Sequence, residues 1–111
     1  MAEQVSVENR HARLLRSIAA GDRSALGELY EETASGLFAF ALRTLGDVQD
    51  AEEVVQDVFV QVWSKAHTFD PAIGVPMYWV ISITRNKCID RLRSRQRRTR
   101  LLAEPESLWR P

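Results

Sequence analysis

The arginines in the last quarter of the sequence are the side chains whose chemistry is easiest to identify. Residues 85–111 carry 9 basic and 3 acidic side chains, whereas residues 1–84 carry 6 basic and 12 acidic ones, so the net charge of zero hides two oppositely charged parts. Guanidinium groups pair with phosphate oxygens, and a run of arginines is typical of segments that bind a nucleic-acid backbone. The alternative is a solvated helix end whose cations are stabilised by the helix dipole. That effect accounts for a few cations rather than nine, so the pattern favours nucleic acid.

An aromatic loop comes directly before the basic segment. Its turn-forming residues are Asp70, Pro71, Gly74 and Pro76. The apolar and aromatic residues around them are Phe69, Ile73, Val75, Met77, Tyr78 and Trp79. An aromatic face that stacks on an unpaired base contributes about 1–3 kcal/mol, so the loop and the basic segment together suit a single strand. The alternative is that Met77 and Trp79 are core residues, and the spacing from Met77 to Ile81 favours it for Met77.

A mostly acidic strip forms the third candidate site. Glu53, Gln56, Asp57, Val60 and Ser64 recur at steps of three or four residues, which places them on one face of a helix. Such a face is ordinarily solvated, but it could also bind a basic partner. The spacing alone leaves both interpretations open.

The remaining candidates form no convincing catalytic or metal-binding pattern. Cys88 is the single cysteine, which excludes an intrachain disulfide and a paired-cysteine metal site. Neither histidine has neighbouring ligands at metal-binding spacing. The carboxylates of Glu52, Glu53 and Asp57 could at most support a metal-dependent nuclease, and no orienting group accompanies them. We therefore expect a protein that is not an enzyme and that needs no metal and no cofactor.

Helical periodicity runs through nearly the whole chain and must position these residues. Apolar side chains recur every three or four residues near residues 5–20, from Asp22 to about Leu45, from about Val48 to Ala66, and from about Met77 onward. Gly21 and Gly46 are expected to end helices, and Asp22 or Ser24 and then Asp47 to cap the next ones. We predict an all-α fold, a compact bundle of about four helices with an irregular loop before the last helix.

The expected core is one apolar face of each helix. Residues predicted to point inward include Leu14, Leu15, Ile18, Ala19, Leu26, Leu29, Tyr30, Leu37, Phe40, Ala41, Leu45, Val54, Val55, Val58, Phe59, Val62, Trp63, Ala66, Met77, Val80, Ile81, Thr84, Cys88 and Leu92. Valine is a mediocre helix former, so tertiary packing must hold the third helix.

The organisation of the chain favours one cytoplasmic domain. We expect a helical domain over residues 1–98 and a linker or disordered tail over residues 99–111. The apolar runs are far shorter than the ~18 residues that a membrane span requires. The N-terminus lacks the layout of a signal peptide.

Four strings of the sequence resemble the second region of extracytoplasmic-function (ECF) sigma factors, the small promoter-recognition subunits of bacterial RNA polymerase. They are GDRSALGELYEE, LGDVQDAEEVVQDVFVQVW, FDPAIG and WVISITRNKCIDRLR, and they cover roughly residues 21–98 in the family's order. The resemblance implies a sigma region 2 fold. It also implies a domain that binds core RNA polymerase and recognises and melts the minus-ten promoter element to start transcription.

The resemblance also assigns residues to partners. The helix around residues 48–66 would bind the clamp helices of the polymerase β′ subunit through Glu53, Gln56, Asp57 and Val60. The loop and last helix would hold the single-stranded non-template minus-ten DNA through Phe69, Asp70, Val75, Pro76, Met77, Trp79, Arg85, Asn86, Arg91 and Arg93. Where Pro76, Met77 and Ile81 stand, the family usually has Phe, Arg and often Tyr, so this melting segment is less aromatic and less basic than usual.

Two further expectations follow from the resemblance. The family's second, helix-turn-helix domain, which reads the minus-thirty-five element, is absent from the sequence, as in a truncated form or a stand-alone region. An anti-sigma factor is a further expected partner. The alternative function is therefore a helical interaction module held by an anti-sigma protein, with incidental DNA binding.

Overall fold

The computed structural model describes residues 2–103, with side chains from Ser6 onward. Four α-helices pack around one core, and they are α1 (Ala2–Ala19), α2 (Arg23–Leu45), α3 (Val48–Lys65) and α4 (Pro76–Ala103). A 3-10 helix (Ala66–Thr68) and an irregular loop connect α3 to α4. No strand occurs within the described residues. The predicted all-α bundle is confirmed.

Local capping sets the boundaries of α2 and α3. Oδ1 of Asp22 accepts hydrogen bonds from the Ser24 hydroxyl at 2.6 Å and the Ser24 backbone N–H at 2.9 Å. The hydroxyl bond is the main reason that the pKa of Asp22 is lowered. α2 ends at Gly46, whose φ of 68° is left-handed. Asp47 then caps α3 by accepting from the Asp50 N–H at 2.8 Å. The sequence predicted Gly46 and Asp47 in these positions, and Asp22 is the correct one of the two candidates, Asp22 and Ser24, for the α2 cap.

α3 packs against α1, α2 and α4. The side chains of Ala51, Val54, Val58 and Val62 are almost completely buried. Burying a valine stabilises the fold by about 1.5–3 kcal/mol, which outweighs its weak helix propensity. Packing therefore holds α3 helical and fixes the direction of its outer face.

Four residues predicted to point inward lie at the surface. Ala19, Tyr30, Trp63 and Ile81 are exposed, and those predictions are wrong. Each stands at the edge of its helix's apolar stripe, beyond the part that a neighbouring helix covers. In α4 the buried isoleucine is Ile83, three residues after buried Val80, and this pair turns the buried stripe away from Ile81.

A charged pair fastens α1 to α2. Oε2 of Glu32 lies 3.0 Å from Nη2 of Arg10 and 3.0 Å from Nε2 of buried His11. Burial alone would raise the pKa of Glu32, but the hydrogen bonds from Arg10 and His11 prevail and lower its pKa. Glu32 is therefore ionised near neutral pH.

α4 runs further than the sequence predicted. It continues through Leu101 and Leu102 to Ala103, because no proline or glycine interrupts the chain before Pro105. The first residues of the expected linker, 99–103, are thus helical. The rest of it, residues 104–111, lies outside the described residues.

Two glycines test this account of α2. Gly46→Ala is expected to lower the free energy of unfolding by about 1 kcal/mol, since a Cβ is strained at left-handed φ. Gly36 lies inside α2, and an added Cβ would meet no neighbouring atom within 4 Å. Gly36→Ala is therefore expected to raise the free energy of unfolding by about 0.5–1 kcal/mol. Chemical unfolding followed by circular dichroism measures both changes, and shifts of the same sign would contradict the assigned boundaries.

Candidate functional site

The loop before α4 forms one wall of a cavity of about 370 Å³, called here the loop cavity. Asp70 shapes the loop, because its Oδ1 accepts from the Ala72 N–H at 2.9 Å and its carbonyl accepts from the Ile73 N–H at 3.2 Å. The rings of Phe69 and Trp79 pack with their centroids 5.8 Å apart. The cavity is lined by Thr68, Phe69, Asp70, Ile73, Gly74, Val75, Tyr78 and Trp79.

Six of the residues predicted to bind a single strand lie in or beside the loop, and four of them meet at the loop cavity. Pro76 is buried at the first position of α4, where its missing N–H leaves no helical bond unmade. Met77 is half-buried and lines a different cavity on the α2 side of α4. The four that meet are Phe69, Asp70, Val75 and Trp79.

Tyr78 and Ile73 are exposed members of the loop cavity that the predicted site residues left out. Tyr78 is 71% exposed and Ile73 is 86% exposed. A signal for Tyr78 was available, because it stands seven residues before Arg85 and therefore shares a helix face with it. Tyr78 thus joins the loop cavity to the face of α4 that carries Arg85.

That exposed face of α4 continues from the loop cavity toward the basic end of the helix. Each member lies three, four or seven residues from another member, which places them on one face, and all of them are exposed. They lie opposite the buried Val80 and Thr84. The members of this strip, called here the α4 strip, are Tyr78, Ser82, Arg85, Asn86 and Arg93.

The outer face of α3 carries the four residues predicted to bind a basic partner. Gln56 and Asp57 are exposed, and Val60 is 68% exposed. The Glu53 side chain keeps 42% of its surface exposed. None of the ion pairs among the described side chains involves Asp57. The structure therefore presents these four residues on one accessible surface.

An apolar groove of about 520 Å³ adjoins this face between α2 and α3. The rings of Tyr30 and Phe59 meet edge to face with centroids 5.0 Å apart. Sequence reasoning missed the groove, since it assigned Tyr30 and Trp63 to the core. The groove is lined by Arg23, Leu26, Tyr30, Gln56, Phe59, Val60 and Trp63. Acidic and apolar groups therefore lie side by side on this surface.

Two arginines of α4 form ion pairs on the side of the helix that faces α3. Nη1 of Arg91 lies 2.8 Å from Oε2 of Glu53 and 3.4 Å from Oδ1 of Asp50. Arg95 forms an ion pair with Asp50 and donates to the carbonyl oxygen of Leu45, the last residue of α2, at 3.0 Å. These contacts join three helices, and they hold Arg91, a predicted DNA contact, on the opposite side of α4 from the α4 strip.

Other kinds of site find little support in the described part of the chain. No three His, Cys, Asp or Glu side chains there are placed to hold a metal ion. Cys88 is buried, and burial raises the pKa of its thiol, which makes a reactive thiolate less accessible. Within residues 2–103 we find no helix with the length and apolar character needed to cross a membrane.

The described residues form a small helical domain with two contrasting surfaces. One face, on α3, is acidic and apolar, and the other, on α4, is basic and ends in an aromatic cavity. Residues 29–98 match the family model described as sigma-70 region 2. The chain therefore belongs to the sigma-70 region 2 family.

Curated relatives of this chain are ECF sigma factors, which confirms the resemblance seen in the sequence. The ECF RNA polymerase sigma factor SigK of Mycobacterium sp. (strain KMS) is 37% identical over 83 residues, which cover 75% of this chain and 43% of that protein. The proteins of the same name from Mycolicibacterium vanbaalenii and Mycobacterium tuberculosis (strain ATCC 25177 / H37Ra) are 35% and 34% identical, over 42% and 44% of their lengths and 75% of this chain. The chain thus spans less than half the length of these relatives.

Arg95→Ala tests the junction of the three helices. The substitution removes a donor from the Leu45 carbonyl and a partner from Asp50, so we expect the free energy of unfolding to fall by about 1–2 kcal/mol. Arg97→Ala is the matched control, because Arg97 is an exposed arginine of the same helix, and its effect should stay below about 0.5 kcal/mol. Equal losses in chemical unfolding would show that the Arg95 contacts do not stabilise the domain.

Proposed function

We propose that this domain binds core RNA polymerase and opens the minus-ten promoter element, as part of a sigma factor that starts transcription. The observation that carries the proposal is the α4 strip, which starts at the aromatic loop cavity and continues as exposed arginines. Groups that can hold a base and groups that can hold phosphates thus lie on one continuous surface. Membership of the sigma-70 region 2 family supports the same role.

The outer face of α3 is the proposed polymerase surface. A clamp helix of the β′ subunit would place a basic side chain opposite Asp57 and an apolar side chain over Val60, and it would contact the part of Glu53 that its ion pair with Arg91 leaves exposed. The adjoining groove would bury that apolar side chain between Tyr30 and Trp63. Charge complementarity would set the register and speed the encounter, whereas the desolvated groove would supply most of the affinity.

Asp57→Lys is expected to weaken binding to a β′ clamp fragment at least tenfold. The change replaces an attraction by a repulsion between like charges, and such juxtaposition at an interface costs several kcal/mol. Glu31→Lys is the matched control, because Glu31 is an exposed carboxylate of α2 outside the groove lining, and it should keep the affinity within about twofold. Fluorescence anisotropy of the labelled fragment measures both. Failure of the parent chain to bind, or equal losses in both variants, would refute the proposed polymerase surface.

The loop cavity is the proposed site for one unpaired base of the non-template strand. Unpairing and unstacking a base costs a few kcal/mol, and stacking on an aromatic ring offsets about 1–3 kcal/mol of that cost per base. The strand is held open by these contacts, and no covalent bond is broken. Tyr78 is exposed at the cavity and offers a free ring face. Asp70 uses Oδ1 to hold its own loop, which leaves Oδ2 to accept a hydrogen bond from a base edge.

The strand backbone would follow the α4 strip away from the loop cavity. Arg85 and Arg93 are exposed and positioned to pair with phosphates, and Asn86 lies between them as a hydrogen-bond donor. Arg91 is not among the proposed contacts, because Glu53 and Asp50 hold it on the α3 side.

Tyr78→Ala is expected to weaken single-strand binding about tenfold, which corresponds to the loss of one base-stacking contact. The probe is the oligonucleotide that this chain enriches from a random single-stranded pool, with its complement as the reference strand. Tyr30→Ala is the reciprocal variant, because this second exposed tyrosine lies in the α3 groove. It should weaken clamp binding rather than strand binding.

The same assay can contradict the DNA half of the proposal. A specific site requires that the enriched strand bind more tightly than its complement at moderate salt. Equal affinities that vanish as salt rises would leave only the general attraction between arginines and phosphates. An unchanged affinity in Tyr78→Ala would remove the loop cavity from the site.

A further inference from the structure

The last turns of α4, residues 96–103, extend beyond the bundle. All of these residues are exposed, and Arg95 is the last residue of α4 whose side chain bonds to another helix in the described part of the chain. This segment, called here the α4 end, is about 12 Å long. Two of its side chains are large and apolar, with Leu101 67% and Leu102 73% exposed. The bundle thus leaves both leucines uncovered.

A single arginine stands between these two leucines. Arg98 precedes Leu101 by three residues and Leu102 by four, so its side chain neighbours both on the helix surface. Arg98 is exposed, and it forms no ion pair with another described side chain. Because a helix turns about 100° per residue, Arg100 points to the opposite side. The α4 end therefore presents one cation and two apolar groups together, called here the Arg98 patch (Arg98, Leu101 and Leu102).

The outer face of α3 carries the complementary pattern. Asp57 precedes Val60 by three residues, and both are exposed at or beside the apolar groove between α2 and α3. Trp63 follows Val60 by three further residues and is 37% exposed in the same groove. No ion pair among the described side chains involves Asp57. This face therefore suits a partner that brings one cation and apolar side chains.

The Arg98 patch and the groove lie at opposite ends of the bundle. α2 and α3 are antiparallel, since Arg23, the first residue of α2, and Trp63, near the end of α3, line the same groove. α4 starts beside the loop after α3 and reaches the α2–α3 turn at Arg95, which donates to the carbonyl of Leu45. The α4 end therefore leaves the bundle at that turn and points away from the groove. The Arg98 patch of one chain cannot cover the groove of the same chain.

We propose that two copies of this chain form a reciprocal dimer, in which the Arg98 patch of each copy docks at the α2–α3 groove of the other. Antiparallel placement brings the α2–α3 turn of one copy beside the groove of its partner. Both contacts then form at once, and the assembly closes with two-fold symmetry. In each contact Arg98 pairs with Asp57 of the partner subunit, while the two leucines cover the exposed apolar surface of the groove.

The dimer competes with the proposed polymerase contact, because Asp57 and Val60 belong to both surfaces. Two short helix ends bury less area than the roughly 1,200–2,000 Å² of a standard interface, so the dimer is weak and exchanges with the monomer. It is a storage state that covers the outer face of α3 when the chain is abundant. The dimer itself does not depend on the proposed function, and only this competition does.

Sedimentation equilibrium of the 111-residue chain tests the dimer directly. The average mass should rise with concentration from 12.7 kDa toward twice that value. Added salt should lower the average mass, because it screens the pair between Arg98 and Asp57. A mass that stays at that of the monomer up to the highest soluble concentration, or one that grows past the dimer, would overturn the inference.

Charge exchange identifies the surfaces that form the contact. Arg98→Glu and Asp57→Lys should each raise the dissociation constant of the dimer about tenfold, because each places like charges opposite one another in both contacts. Arg100→Glu and Glu31→Lys are matched controls, since they make the same changes of charge at exposed positions outside the two surfaces. These controls should keep the dissociation constant within about twofold.

An equimolar mixture of Arg98→Glu and Asp57→Lys is the sharper test. In a mixed dimer the two introduced charges face each other, and the unchanged Arg98 faces the unchanged Asp57, so both contacts are attractive. The mixture should therefore dimerise with nearly the parental affinity, while each variant alone stays monomeric. If circular dichroism shows both variants folded and the mixture still fails to dimerise, the inference is wrong.

Binding of the β′ clamp fragment tests the competition. Where the parent chain is monomeric, Arg98→Glu should bind the fragment as the parent does. Where about nine tenths of the parent is dimeric, Arg98→Glu should bind about tenfold more tightly, because only the monomer is competent. Equal binding at both concentrations would overturn the placement of the dimer contact on α3. If neither chain binds the fragment, the proposed polymerase surface fails, while the dimer is decided by sedimentation alone.

Discussion

The burial of one face of α3 is the constraint on which both proposed surfaces depend. Val54, Val58 and Val62 are enclosed by the other helices, and a whole domain is stable by only about 5–15 kcal/mol. Each buried valine accounts for about 1.5–3 kcal/mol, so α3 cannot rotate without unfolding the domain. The burial of the inner apolar face of α3 thus fixes the direction in which its outer acidic face points. Because α4 packs on α3, the same contacts also fix the position of α4.

The charges of the chain are separated in space as well as in sequence. Asp50 and Glu53 neutralise Arg91 and Arg95, the two arginines on the α3 side of α4. The arginines of the α4 strip form no ion pair with another described side chain and can attract a polyanion. Screening in salt limits such fields to about 10 Å, so a basic partner on α3 and an acidic partner on α4 can each meet a surface of opposite sign. A net charge of zero is compatible with both encounters.

Much of the fold could be predicted because its signals are local. Asp22 and Asp47 cap the starts of α2 and α3, and Gly46 ends α2. Each of these residues lies next to the helix end that it determines. The contact between Arg95 and Asp50 could not be predicted in the same way, since 45 residues separate the partners. Only the packing of α4 against the α2–α3 turn brings them together. The loop cavity could be predicted in part. Its residues are close in sequence, but whether the cavity is open depends on which aromatic rings the packing leaves exposed.

Three of the four wrong core predictions, all except Ala19, coincide with cavities, and a common physical cause explains this. A helix needs an apolar stripe roughly 100° wide to face a core, and any wider stripe leaves apolar side chains beyond the reach of neighbouring helices. In α2 and α3 these surplus residues are Tyr30 and Trp63, which line the groove beside the acidic face. In α4 the surplus residue is Ile81, which lines a cavity of about 390 Å³ between α1, α2 and α4. Periodicity reports the width of a stripe but not how much of it the neighbours cover. Where sequence reasoning overestimates the core, apolar surface is left available for a partner.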